Sequence, residues 1–327
     1  MKTDLLTEGF FVRMMGAGDV SNAVEMLVGT RYGPAARRAG GGTPAELERE
    51  LWQEVFGAWT RLVKFLEGQE AELGTAYARV FEIENIRRVV RRVLADVSPS
   101  VATPLWNIGP QAAIKLEDLS RARSLHGLHE IVARSPYARV FELAEHRLVE
   151  GEPLFAFEQV LDAGYLDMLL VAARGVRGAH GRSARSYVEP RVHFTNVRWA
   201  LRLRFGRHVP ADQVRQYLVR EDAPEYRRDI DGVIEAENLA DATRALSRVL
   251  GRRGAMPSTV RDCDRALRGE MARWSRRELR ARFFELASIF AYFDVRIQEI
   301  RDIAAVLAGL RQGRSEDEIR SNLGLVA

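Results

Sequence analysis

His126 and His129 stand three residues apart, so on a helix they share a face and could offer two nitrogens to a metal ion. A metal site also needs further ligands and groups that orient them, and the spacing of the remaining Cys, Asp and Glu supplies none. The pair reads as helix surface. "MGAGD" (15–19) holds one Gly-x-Gly with no third glycine in register and no strand ahead of it, which excludes a dinucleotide fingerprint. "AGGGT" (39–43) lacks the Gly-Lys-Ser/Thr of a phosphate loop and reads as a link between helices. Cys263, the one cysteine, falls at an apolar position and reads as a core thiol. Acidic pairs are abundant, but they alternate with arginine and read as ion-pair partners rather than a general acid–base couple. Tryptophans 52, 59, 106, 199 and 274 are scattered and read as packing residues, not base-stacking platforms. The groups that could do chemistry do not converge. No catalytic residue, cofactor, metal or small-molecule substrate is expected.

The elements that carry these residues are helical. Apolar residues at 83, 86, 90, 93, 94 and 97 make one stripe of a 3.6-residue period. Phe194, Val197, Leu201 and Phe205 repeat it, as do Ile297, Ile300, Ala304 and Leu307. The eleven prolines cluster at segment ends, and none falls at 45–98 or 258–327, which leaves room for long helices. Ser315 with Glu318 fits a capping box, and Ser98-Pro99 fits an N-cap followed by a first-turn proline. The stretches 37–46 and 174–183 read as glycine-rich loops. The fold class is all-α.

At 327 residues the chain can bury a substantial core or two to three smaller ones. Its net charge is only +4, and its 46 arginines, against Lys2, Lys64 and Lys115, are interleaved with Asp and Glu. That pattern favours solvated helix faces over a dedicated nucleic-acid patch. A lone cysteine makes no internal disulfide, and no apolar run reaches the ~20 residues that span a bilayer. The longest, "FFELASIFAYFDVRI" (283–297), is broken by Glu285 and Asp294. A cytoplasmic location is expected.

Short patterns recur in the same order at about one third of the length. Leu47-Glu48-Arg49-Glu50-Leu51, Phe157-Glu158-Gln159-Val160-Leu161 and Cys263-Asp264-Arg265-Ala266-Leu267 share apolar, acidic, Arg or Gln, any residue, Leu. Asn85-Ile86-Arg87, Asn196-Val197-Arg198 and Glu299-Ile300-Arg301 follow at offsets of 111 and 103. "EMLVGTRY" (25–32) matches "EIVARSPY" (130–137), with a poor third copy near 243–250. The anchors Leu51, Leu161, Leu267, Asn85, Arg87, Asn196, Arg198, Glu299 and Arg301 therefore predict three helical repeats, at 1–112, 113–222 and 223–327. Asn85 lies off the stripe of Ile83, Ile86 and Val90, and Arg87 borders it; the amide is assigned to backbone groups of a neighbouring helix or loop.

These strings are similar to the C subunit of bacterial and archaeal V/A-type rotary ATPases, related to the d subunit of eukaryotic V-ATPases. The resemblance runs over nearly the whole chain and is strongest at 128–142, 154–170, 194–219 and 290–323. It implies a funnel-like body of three pseudo-symmetric helical repeats, without catalytic residues, on the cytoplasmic face of the membrane rotor ring. Implied partners are the D and F subunits of the central stalk and the proteolipid ring, with one copy per complex and a monomer in isolation. The implied role is to pass torque between ATP chemistry and the transport of protons or sodium. Members of the family carry a further helical segment ahead of the position matching "DLLTEGF" (4–10), where this sequence nearly begins. In the third repeat Glu299 replaces the asparagine, and a carboxylate cannot donate the hydrogen bonds of an amide.

Two further classes fit the residues. A helical nucleic-acid-associated protein would show steep salt dependence; a generic helical adaptor would fail to capture rotor ring and stalk. Residues 99–110 and 206–212, with their Pro, Trp and basic content, are expected at one end of the body, facing a partner.

Overall fold

The computed structural model describes residues 5–40, 43–98, 105–250, 257–282 and 285–324. Among the described residues the regular elements are helices and no strand occurs. The 3.6-residue apolar period has its expected consequence.

The helices follow in order. The first five are α1 (Glu8–Met15), α2 (Val20–Val28), α3 (Gly33–Ala39), α4 (Pro44–Val63) and α5 (Gly68–Leu94). Then come α6 (Leu116–Arg121), α7 (Leu125–Val132), α8 (Ala138–Val149), α9 (Leu154–Gly175) and α10 (Gly178–Leu201). The rest are α11 (Ala211–Val214), α12 (Pro224–Ile234), α13 (Leu239–Ala245), α14 (Val260–Ala281), α15 (Leu286–Arg311) and α16 (Glu316–Arg320). Short helices thus lead into a long pair three times.

Side-chain caps set several starts. Asp19, Ser124 and Asn238 accept the N–H of the third residue on, at the heads of α2, α7 and α13. Each such cap contributes about 1 kcal/mol. Ser315 and Glu318 form the reciprocal box that the sequence predicts at α16. The Ser98-Pro99 expectation reaches residues outside those described.

Several expectations need correction. The stretch 37–46 is not all loop, since α3 runs through Ala39 and α4 begins at Pro44. Residues 174–183 are not a loop: α9 runs through Gly175 and α10 begins at Gly178, so the break is Val176–Arg177. Tertiary packing of the long helices on both sides, whose buried residues include Leu169, Leu170, Ala173, Ala184 and Tyr187, overrides the glycines' preference for irregular backbone. Pro190 lies inside α10 rather than at a segment end, although its ring removes one helical donor.

The chain divides into two compact units. One comprises Phe56–Val188 and Gln216–Arg220. There α5 is the central helix, with α6, α7 and α9 packed on it and α8 on α9. Trp59 stacks on Tyr77 at 4.7 Å between ring centroids, and Phe56 meets Phe81 edge-on at 4.8 Å. Phe141 of α8 meets Phe157 of α9 at 5.6 Å. The helices α5 and α9 are antiparallel, because Arg91 pairs with Glu158, Tyr165 donates to the Tyr77 carbonyl and His180 reaches Glu70. Helices α8 and α9 approach so closely that a Cβ on Gly164 would lie 2.4 Å from Val140 Cγ1. Gly164→Ala should therefore destabilise this unit by about 1–3 kcal/mol, the range for overpacking. An unchanged urea midpoint would show that Val140 moves aside freely.

The other unit comprises Met1–Val55, Glu189–Arg215 and Glu221–Ala327. Its central helix is α15, against which α1, α2, α14 and α16 pack; α12 and α13 form a separate pair. The stripe predicted for α15 is too narrow. Its buried residues run from Leu286 to Gly309 on several faces and include Arg296, Glu299 and Asp302. A helix enclosed by neighbours has no wet face to reveal by amphipathic spacing.

Candidate functional site

Three of the described long helices, α5, α10 and α15, share one feature that positions their neighbours. Each buries two polar residues three positions apart, and that spacing puts both on one face. They are Glu82 and Asn85 on α5, His193 and Asn196 on α10, and Arg296 and Glu299 on α15. Buried polar groups require partners, and those partners come from the segments around the short helices.

On α5 the Asn85 amide grips one residue from both sides. Its Nδ2 donates to the Trp106 carbonyl at 2.8 Å, and its Oδ1 accepts the Trp106 N–H at 2.7 Å. Helix α5 is buried on the Asn85 face as well as on its apolar stripe, so the position off the stripe is not solvated. One turn earlier the Glu82 carboxylate accepts the Ala113 and Ile114 N–H groups, at 2.6 and 3.0 Å, and the Tyr137 hydroxyl. Burial pushes the Glu82 carboxyl above its ordinary range, against the pull of those hydrogen bonds.

On α15 Glu299 stands where α5 has the asparagine. Its Oε1 accepts the Leu6 N–H at 2.5 Å and its Oε2 accepts the Tyr32 hydroxyl at 2.7 Å. The carboxylate cannot serve the Leu6 carbonyl, and Arg276 donates to that oxygen instead, at 3.2 Å. Two side chains, Glu299 and Arg276, thus do for Leu6 what one amide does for Trp106. Arg296 lies over the Tyr32 ring at 5.5 Å. Burial raises the Glu299 carboxyl to about 7 and lifts the Tyr32 hydroxyl well above its usual range.

On α10 Asn196 is fully buried. His193 places Nδ1 at 3.1 Å from Glu221 and Nε2 at 3.2 Å from Asp229, and its ring stacks on Tyr226 at 4.2 Å. Arg248 reaches Asp229 at 2.8 Å.

The arginine anchors are placed as follows. Arg87 pairs with Asp162 at 3.2 Å and Glu158 at 3.6 Å, and Arg198 pairs with Asp264 at 2.9 Å. Glu158 and Asp264 are the acidic members of the recurring strings, so two separate sequence patterns meet in these ion pairs. Arg301 is exposed. Leu51, Leu161 and Leu267 are completely buried. Glu82, His193 and Arg296 are not among the anchors read from the sequence; their residue types differ, though they keep the 111 and 103 offsets.

The remaining chemistry-bearing groups are engaged locally. His126 pairs with Glu130 of its own helix and His129 with Glu145. Cys263 is buried and its thiol is pushed up to about 11 by desolvation. Of the partner-facing segments expected, 99–104 lie outside the described residues. Trp106 and Val209 are buried, while Asn107, Arg207 and His208 are exposed.

A sequence model described as ATP synthase (C/AC39) subunit matches residues 1–322. The chain belongs to this family. It is 26% identical to a V-type ATP synthase C subunit of Deinococcus radiodurans, across 92% of this chain and 87% of the relative. It is 21% identical to an A-type ATP synthase C subunit of Thermococcus onnurineus, across 99% of this chain and 87% of the relative. Among the described residues no helix is long and apolar enough to cross a membrane. Members of the family work within a larger complex, and the buried clasps on α5, α10 and α15 are groups that fix helices to one another.

Proposed function

We propose that this chain is a non-catalytic rotor component of a V/A-type ATPase, joining the central stalk to the membrane rotor ring. Torque then passes through it between ATP chemistry and ion translocation. The observation that carries the reading is the buried polar pair on α5, α10 and α15, in one register, in a chain of the ATP synthase (C/AC39) subunit family. It supports three copies of one unit, at 1–112, 113–222 and 223–327, with the caps Asp19, Ser124 and Asn238 heading equivalent helices. A torque coupler must not deform under load. Hydrogen-bonded polar clasps inside close-packed helices resist sliding, because a shift leaves groups such as the Asn85 amide or the Glu299 carboxyl unsatisfied. The partners are the D and F subunits of the stalk and the proteolipid ring, on the cytoplasmic face of the membrane, with one copy per complex. The chain has no reaction centre of its own.

Reconstitution with the D–F shaft and the detergent-solubilised ring tests this. The chain should bridge the two, each being captured through it and neither capturing the other in its absence. Capture of neither would end the reading.

A further inference from the structure

The α4–α5 and α9–α10 connections carry a combination that the clasps do not use. Phe65 is 86% exposed, and Val171, on α9 just before its last turn, is 62% exposed. Both lie in the unit formed by Phe56–Val188 and Gln216–Arg220, and at the same end of it. Antiparallel packing of α5 and α9, closed by the His180–Glu70 contact, brings the start of α5 beside the end of α9. Around the two apolar side chains stand Arg61, Lys64, Arg174 and Arg177, all exposed. The acidic residues at this end are Glu67, Glu70 and Glu72, and Glu70 is taken by His180.

We infer that this end of the unit docks on an anionic phospholipid surface, with Phe65 and Val171 entering the headgroup layer and the four cations lying among the phosphates. The inference rests on the proposed placement at the membrane and names the surface that meets the lipid. Charge complementarity favours lipid: a basic rim attracts an anionic leaflet at about 1 kcal/mol per residue near the surface. The apolar pattern points the same way. A protein-docking patch is contiguous, whereas here single apolar side chains protrude, one from the α4–α5 connection and one from α9 near its end, among basic residues, as in interfacial membrane anchors.

Flotation of the full chain with phosphatidylcholine vesicles, with and without phosphatidylglycerol, tests this. Binding should require phosphatidylglycerol and weaken as salt rises. Phe65→Ser should lower partitioning about tenfold, the loss of one buried aromatic. Lys64→Gln and Arg177→Gln should each lower it about fivefold. All three side chains are exposed, so thermal unfolding should be unchanged. Absence of vesicle binding, or equal binding by parent and variants, overturns the lipid assignment. Capturing the rotor ring in detergent with the same variants separates the two readings. If they lose the ring and the parent ignores vesicles, the surface serves an acidic protein partner: the lipid assignment fails and the rotor reading stands. If the parent binds vesicles but captures neither ring nor shaft, the surface stands and the rotor reading fails.

Discussion

Glu299→Gln should match the parent in stability near pH 4.5 and exceed it by about 3 kcal/mol at pH 8. The parent's carboxyl is raised to about 7, chiefly by desolvation. In the unfolded chain it titrates near 4.5. A raised carboxyl contributes its stability in full below the unfolded value and loses it as pH climbs through the folded one. Between those limits the folded state holds a proton that the unfolded state has released, so rising pH favours unfolding. Glutamine has no proton to lose. Its oxygen can accept the Leu6 N–H, and its amide can donate to the Tyr32 hydroxyl oxygen, so both contacts survive. The charges facing this site are Arg296 and Arg276, and both remain in the variant. Glu82 and Asp162 are also raised. The difference between variant and parent, rather than the parent's own profile, therefore isolates Glu299. Urea unfolding at half-unit steps from pH 4.5 to 8 provides it. Parallel profiles would mean that the buried carboxylate is fully compensated by Arg296 and Arg276.

The clasps explain what the sequence made legible and what it hid. Leu51, Leu161 and Leu267 are visible because burial demands an apolar residue of one type at one register, and all three are enclosed. Asn85 is visible because few residues donate and accept from one planar group, and the amide does both for Trp106. A helical wheel only sets it off the stripe, since a buried asparagine adds nothing to an apolar count; its chemistry is what assigns the amide to neighbouring backbone groups. Glu82, His193 and Arg296 share a register but not a chemistry: one accepts N–H and O–H groups, one sits between two carboxylates, one lies over an aromatic ring. A search for like residues passes over them, although the 111 and 103 offsets point to each. Helix α15 hides its central position for a related reason. Its buried Arg296, Glu299 and Asp302 mimic the polar face of a surface helix, and only their partners reveal otherwise. Pro190 marks a limit of propensity, since packing along the rest of α10 outweighs one missing hydrogen bond.

His193→Phe should cost about 3–5 kcal/mol, the range for stripping a buried charge of its partner. The histidine ties α12 and the residues before it to α10. Glu221 and Asp229 are both nearly buried, and each faces a different ring nitrogen. The ring thereby bridges the two carboxylates. Phenylalanine keeps the shape and the stack on Tyr226, whose hydroxyl is pushed up to about 12 by burial with Glu189 and Glu221 nearby and so stays neutral. The variant therefore removes the donors and little else. Asp229 retains Arg248, but that side chain is 64% exposed and screens poorly what the histidine covered. Glu221 is left against an apolar ring. The double variant His193→Phe with Glu221→Gln separates charge from shape: neutralising the orphaned acid should recover about half of the loss in urea unfolding at pH 7. If the single variant costs under about 1 kcal/mol, or the double recovers nothing, charge pairing does not hold α12 to α10. The α10 clasp would then work by stacking alone, unlike the carboxylate of α15 or the amide of α5.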